Sequence, residues 1–209
     1  MNKLWNMKEM NEEDVCRQFL KQQQKRIHAP DLRTTASMMM KRHAQLLVRF
    51  IFAAYVKDKR FIRLDPASTF LDETLVLNAE RPIEVDRKFW VTGIFADHLT
   101  PFLRTLHHFT RLPERILWEN IAVRVNSFFR KTMETESLTC EEEARALELY
   151  SLLENAEPDS FGATVHPLKT YLVPKNQLTS MQTRKTCCHF YRLEKDKEMD
   201  YCLVCPLKK

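Results

Sequence analysis

Apolar residues recur every three or four positions over much of the chain, and this spacing predicts a largely helical protein. The strongest pattern covers residues 35–57, where apolar side chains alternate with lysine, arginine and glutamine. We expect this stretch to be the central core helix, and the methionines from Met38 to Met40 to fill gaps in the core. Further amphipathic helices are predicted at residues 11–25, 96–111, 112–133 and 141–155.

The pattern changes between residues 61 and 92. Three short segments, 61–64, 74–77 and 82–85, are rich in branched residues and separated by turn residues, which predicts two or three strands of a small antiparallel sheet. The connection at residues 78–81 has a length that suits a hairpin.

After residue 157 the chain becomes irregular, because each proline withholds an amide and forces extended geometry on its predecessor. This segment predicts a linker that lies over the helical body. The whole pattern indicates an α+β fold with two parts: a mainly helical body at residues 1–175, with the small sheet around 61–92, and a C-terminal cysteine lobe at residues 176–209.

Composition excludes several classes of function. Only two glycines occur among the 209 residues, so neither a Gly-x-Gly-x-x-Gly turn nor a Walker loop can form, and a nucleotide cofactor bound in those ways is not expected. The net charge of +5 is too small to predict a nucleic-acid binder, but it suits an anionic ligand or an acidic protein partner.

The location expected for the chain is the cytoplasm. Residues 1–14 are rich in charged side chains and show no apolar core of a secretory signal. The longest apolar segment, residues 44–56, is shorter than the roughly 20 residues that span a bilayer, so no transmembrane segment is predicted. Peripheral membrane contact through the basic surface stays open, and the thiols are expected to be reduced.

The cysteines carry the clearest chemical signal. Four of the six lie after residue 186, as the adjacent pair Cys187 and Cys188 and as the Cys202-x-x-Cys205 pair. Thiols at this density in a reducing compartment predict a metal site. The other two cysteines, Cys16 and Cys140, are expected in the core and at a helix cap, without a metal.

Spacing alone leaves the metal open between zinc and iron. The Cys202-x-x-Cys205 pair is ordinary for zinc, whereas adjacent cysteines suit a larger two-iron body better than one small ion. His189 is the one plausible substitute ligand, as in clusters of mixed histidine and thiolate ligation.

The cysteine motif, which ends in Cys205-Pro206-Leu207, resembles that of the FhuF-type ferric siderophore reductases. The sequence Leu-Trp-Glu-Asn-Ile-Ala at residues 117–122 is similar to the Leu-Trp-Gly-Asn-Val-Ala segment of that family. Two differences are visible. The cysteine pairs are separated by thirteen residues, which is longer than is usual in the family, and Glu119 replaces a glycine. We expect the longer loop to leave the ligands in place, and Glu119 to be harmless on a helix surface.

The resemblance implies a C-terminal iron-sulfur lobe in which Cys187, Cys188, Cys202 and Cys205 hold a 2Fe-2S cluster. It implies an iron oxidoreductase that passes one electron to a ferric siderophore of the hydroxamate or citrate-hydroxamate type. The electron would come from a separate donor protein or a soluble reductant. The residues expected to contact the anionic chelate or an acidic donor are Arg184, Lys185, Arg192, Lys195 and His107.

Two alternatives remain at this stage. One is a structural zinc module that docks a protein or nucleic-acid partner. The other is a 2Fe-2S protein that relays electrons or senses redox state without a siderophore substrate.

Overall fold

The computed structural model describes residues 3–193 and 200–208 and is mainly helical. The fold class predicted from the sequence is confirmed, since the helices are accompanied by small antiparallel sheets and four of the cysteines lie near the C-terminus. The helices are α1 (Glu13–Arg26), α2 (Leu32–Asp58), α3 (Arg87–Ile94), α4 (Thr100–Thr110), α5 (Glu114–Met133) and α6 (Cys140–Glu154).

Helix α2 is the centre of the molecule, as its apolar pattern predicts. It packs against α1, α4, α5 and α6, and its methionines Met38, Met39 and Met40 are buried in the core. It begins earlier than predicted because Asp31 caps it: the Asp31 carboxylate accepts a hydrogen bond from the Thr34 amide at 2.7 Å.

The strands are short and form two sheets. The first has the order β1 (Trp5–Asn6), β3 (Thr69–Leu71) and β4 (Leu77–Ala79), and the second pairs β2 (Ile62–Arg63) with β5 (Ile83–Glu84), all antiparallel. The hairpin predicted at residues 78–81 is wrong, since β4 pairs with β3 across residues 72–76. The Asp72 carboxylate accepts from the amides of Thr74 and Val76 and thereby builds that turn.

Two helical elements follow the sheets where one was predicted. Helix α3 was missed, and a π-helical turn at Phe95–Leu99 joins it to α4. The start of α4 is as predicted, with Pro101 in its first turn.

Beyond α6 the chain is irregular and lies over the helices, as predicted, and it buries Phe161, Leu168, Val173 and Leu178. The division into domains at residue 175 stays a prediction. The buried cysteines Cys188, Cys202 and Cys205 belong to the same apolar core as the helices. Within the described residues, no helix has the length and apolar character needed to cross a membrane.

Candidate metal centre

Two short segments near the C-terminus bring the cysteine pairs together. The Sγ atoms of Cys188 and Cys202 lie 3.6 Å apart, although the residues are 14 positions apart in sequence. Two thiolates bound at about 2.3 Å to one tetrahedral ion would be separated by roughly 3.8 Å, so this distance suits two ligands of the same metal ion. Cys188, Cys202 and Cys205 are buried, whereas Cys187 is partly exposed.

Backbone amides point at the other two sulfurs. The His189 amide donates to Cys187 Sγ at 3.3 Å, and the Leu207 amide donates to Cys205 Sγ at 3.4 Å. In both pairs the donor follows the cysteine by two residues, and His189 reaches this geometry with a left-handed φ of 63°. Amide hydrogen bonds to sulfur stabilise thiolate charge, and they are one of the features that set the potential of iron-sulfur centres.

The close pair Cys188 and Cys202 forms a thiol–thiol hydrogen bond. A hydrogen bond from Cys202 to Cys188 lowers the pKa of Cys188 to about 5, and the positive charge of Lys41 acts in the same direction. The same hydrogen bond raises the pKa of Cys202. The Lys41 Nζ atom lies 3.9 Å from Cys188 Sγ. Burial raises the pKa of Cys187, so the lowered pKa applies to Cys188 and not to its sequence neighbour.

A buried polar network fixes the first cysteine pair to the helices. Ser37 of α2 donates to the Cys188 carbonyl oxygen at 2.8 Å, and the Asn120 side chain of α5 donates to the carbonyl and hydroxyl oxygens of Ser37, both at 3.0 Å. Arg184 Nη1 in turn donates to Asn120 Oδ1 at 2.8 Å. All the side chains in this chain of bonds are buried.

Glu119 lies at the end of that network, and the expectation that it is a harmless surface residue is wrong. Only 3% of the residue is exposed. Its carboxylate pairs with Arg184 Nη2 at 3.3 Å, and it accepts from the amides of Lys185 at 2.6 Å and Thr186 at 2.9 Å, and from the Thr186 hydroxyl. Glu119 thus binds the backbone that leads directly into Cys187.

Comparison with known families gives one clear result. The family model described as "Ferric iron reductase FhuF-like transporter" matches residues 37–180. The chain belongs to this family. No curated protein matches the chain. Membership in the FhuF-like family supports a function of the ferric iron reductase type, and it confirms the resemblance found in the sequence.

The matched segment contains the helical half of the site. Ser37, Glu119 and Asn120 lie inside it, whereas the cysteines follow its end at residue 180. The FhuF-like match therefore covers the residues that hold the cysteine segments in place, and assignment of the cysteines rests on their own geometry.

The four cysteines do not converge on a single point. Among residues 3–193 and 200–208, no three His, Cys, Asp or Glu side chains are close enough to hold one metal ion. A structural zinc ion takes four ligands at once, whereas each iron of a 2Fe-2S cluster takes two thiolates. The close pair Cys188 and Cys202 offers the two thiolates that one iron of such a cluster takes, and the choice between zinc and a cluster stays a prediction.

The predicted basic contacts have different positions. Arg184 does not fit its expected surface role, because its side chain is fully buried against Glu119 and Asn120. Lys185 is exposed, and Arg192 is exposed but pairs with Asp31 at 2.9 Å. Lys195 lies outside the described residues, as does the rest of the charged stretch 194–199.

The histidines near the cysteines, or predicted to bind substrate, differ in their surroundings. His107 Nδ1 hydrogen-bonds to the Leu112 carbonyl oxygen at 2.8 Å, whereas its neighbour His108 is exposed. His189 is half-buried, and its Nδ1 atom has no hydrogen-bond partner in the described part of the chain. The remaining cysteines are as predicted: Cys16 is buried in the core, and Cys140 is exposed in the first turn of α6, next to its capping residue Thr139.

Sequence reasoning missed a pocket beside the cysteines. The pocket has a volume of about 230 Å³, and Cys202 forms part of its wall. Its charged lining consists of Lys41 from α2 and of Arg124 and Arg130 from α5. The cations recur along the polar side of two helices in the sequence, but the pattern cannot show that residues 202–204 close over them.

Proposed function

We propose that this protein is a cytoplasmic ferric siderophore reductase that holds a 2Fe-2S cluster on Cys187, Cys188, Cys202 and Cys205. The proposal rests on membership in the FhuF-like family and on one structural observation. That observation is the distance of 3.6 Å between the Sγ atoms of Cys188 and Cys202. The sulfurs of Cys187 and Cys205 each accept a hydrogen bond from a backbone amide.

The residues around the sulfurs have defined tasks in this proposal. Lys41 and Arg184 offset part of the negative charge of four thiolates, and the Glu119 and Ser37 contacts hold the first cysteine pair in register with α2 and α5. Residues 202–205 form a turn in which the Cys205 amide donates to the Cys202 carbonyl oxygen at 3.0 Å. When bound, a 2Fe-2S cluster supplies one electron at a time.

The substrate chemistry needs no proton transfer. The Fe(III) of the chelate gains one electron and becomes Fe(II), while a separate reductant loses one electron. Siderophores bind Fe(III) tightly through hard oxygen donors and hold Fe(II) weakly, so the reduced ion is released. The protein therefore needs a site for the chelate close to its cysteines and no acid or base at the reacting atom.

The test compares Cys202→Ser with Cys140→Ser. The control removes an exposed thiol at a helix start, far from the paired cysteines in sequence. We expect Cys202→Ser to lose bound iron and sulfide and the release of Fe(II) from a ferric hydroxamate, measured with an Fe(II)-specific chromogenic chelator and dithionite as the electron donor. Both variants should keep the helical circular dichroism of the parent. Fe(II) release at the full parental rate by Cys202→Ser would contradict the proposal.

A further inference from the structure

We infer that the pocket beside Cys202 binds a carboxylate-bearing arm of the substrate, so that the protein prefers anionic ferric chelates over neutral ferric trihydroxamates. This inference rests on the proposed function and adds the position of the substrate and its charge class. It replaces the surface lysines and arginines predicted from the sequence as the principal contacts.

The pocket is concave and carries one sign of charge. It lies between α2, α5 and the segments 180–182 and 202–204, and no acidic side chain occurs in its lining among the described residues. A second pocket along the same two helices shares Arg124 and adds Arg49, Lys57 and Lys131. A cleft lined by charges of one sign concentrates ligands of the opposite charge.

Arg124 is a cation of the pocket that forms no ion pair with a described residue. Its Nε atom is buried, and it makes no hydrogen bond to any described residue. Arg124 lines the pocket and is only partly buried. A carboxylate matches the planar geometry of a guanidinium. By contrast, Arg130 already bonds Glu134 at 2.6 Å, and Lys41 lies against Cys188. Arg124 is therefore the residue expected to contact the ligand anion.

The rest of the pocket suits the carbon skeleton of a chelator. Met181 and Leu203 line it and are 61% and 67% exposed. Exposed apolar side chains beside a charged recess are typical of a ligand site that holds both an apolar spacer and a charged group. Ligand pockets for whole drug-sized molecules enclose about 300–1,000 Å³, so a pocket of about 230 Å³ holds one arm of a siderophore.

Charge separates the two siderophore classes, hydroxamate and citrate-hydroxamate, that the family resemblance implies. Three hydroxamate groups neutralise Fe(III) completely, so a simple ferric trihydroxamate presents no anion to Arg124. A citrate-hydroxamate chelator binds the ion with two hydroxamates and an ionised hydroxy acid and carries further carboxylates, so its ferric complex is negative. The cationic lining, in which Arg124 has no described ion pair, favours the second class.

The experiment measures binding with Ga(III) chelates, because Ga(III) takes the place of Fe(III) and is not reduced. Calorimetric titration of the protein loaded with its iron-sulfur cluster gives the dissociation constants of a Ga(III) citrate-hydroxamate complex and of a neutral Ga(III) trihydroxamate. Arg124→Gln should weaken binding of the first complex about ten- to a hundredfold and leave the second unchanged, and Arg124→Lys should restore part of the loss. Arg81→Gln, at an exposed position in the β4–β5 connection, is the matched control and should bind both complexes like the parent.

Two results would overturn the inference. One is equal affinity of the parent for both complexes, or an equal change for both in Arg124→Gln. The other is a variant Arg124→Gln that binds the chelates like the parent and is reduced by dithionite at the parental rate, but is reduced by an acidic donor protein more slowly than the parent. This result would assign the pocket to the electron donor. Iron and sulfide are assayed on the same samples. Their absence would defeat the proposed function itself, whereas their presence without charge preference would defeat only the pocket assignment.

Discussion

At the scale of single residues, Glu119 is the position where structure and sequence reasoning differ most. The helical pattern of residues 112–133 reveals one apolar face and assigns polar residues on other faces to solvent. In the structure the loop that precedes Cys187 covers one of those faces, and Arg184 from that loop pairs with Glu119. Periodicity within one helix cannot show that a polar residue has a buried partner 65 positions away in sequence.

We predict that Glu119→Gln lowers the free energy of unfolding by about 3–5 kcal/mol, because it leaves the Arg184 guanidinium buried without its counter-charge. The measurement is urea unfolding of the metal-free protein followed by circular dichroism. Glu136→Gln, at an exposed position after α5, is the control and should change the free energy of unfolding by no more than about 0.5 kcal/mol.

A double variant separates the charge pair from general disruption. Glu119→Gln combined with Arg184→Met removes both charges, and it should be more stable than Glu119→Gln alone, because an apolar side chain replaces the unpaired guanidinium. Full additivity of the two single changes would show that the pair does not act as a unit.

At the scale of elements, the contact between α2 and the π-helical turn at Phe95–Leu99 is made by two buried histidines. His43 and His98 stack, with their Nε2 atoms 3.1 Å apart, and His98 Nδ1 donates to the Leu64 carbonyl oxygen at 3.0 Å. The tautomers follow from this carbonyl: His98 Nε2 accepts, and His43 Nε2 donates. The pair thus joins α2, the π-helical turn and the segment after β2.

Both histidines are held neutral. Burial lowers the pKa of His98 to about 4, although the Leu64 carbonyl and Asp65 act in the opposite direction. Burial and the nearby His98 hold the pKa of His43 well below its usual range. In the unfolded chain a histidine binds a proton near pH 6.5, so between that pH and the lower folded-state pKa the unfolded state binds more protons. The contribution of the two histidines to the free energy of unfolding is therefore complete above about pH 6.5 and decreases as the pH falls below that value.

We predict that lowering the pH from 7 to 5 reduces the free energy of unfolding by about 2 kcal/mol for each of the two histidines. His43→Gln keeps a donor for His98 but cannot titrate, so its decrease over this range should be smaller than that of the parent by about 2 kcal/mol. Urea unfolding of parent and variant at pH 5, 6, 7 and 8 provides the comparison, with pH 8 as the reference at which both histidines are neutral in both states. Parallel pH profiles would contradict the assignment.

The same scale shows what the sequence can predict. The long helices α2, α5 and α6 follow from strong periodicity and from caps such as Thr139 with Glu142, which form the reciprocal hydrogen bonds of a capping box. The strands β1 and β3 contain two and three residues, which is too short for an alternating pattern to be read. Their existence depends on tertiary pairing, for example between Trp5 and Leu71, which local sequence does not encode.

At the scale of the whole molecule, the helices contribute the cationic pocket beside Cys202 and the buried polar network that fixes Cys187 and Cys188. The short segments that carry the cysteines pack against both. The sequence alone predicts the four cysteines as the metal ligands, because closely spaced cysteine pairs in a reducing compartment are typical of a metal site. The sequence could not predict that the cations of this pocket lie together, since Lys41 and Arg124 are on different helices and meet only where residues 202–204 cover them.

The central claim is that this segment carries a 2Fe-2S cluster, and the most direct test is the visible spectrum of anaerobically purified protein before and after dithionite. Iron, acid-labile sulfide and zinc are assayed on the same sample. We predict a red-brown protein that bleaches on reduction and contains iron and sulfide in equal amounts, with little zinc. A colourless protein that retains one zinc ion and no sulfide would contradict the claim and assign the cysteines to a structural zinc module.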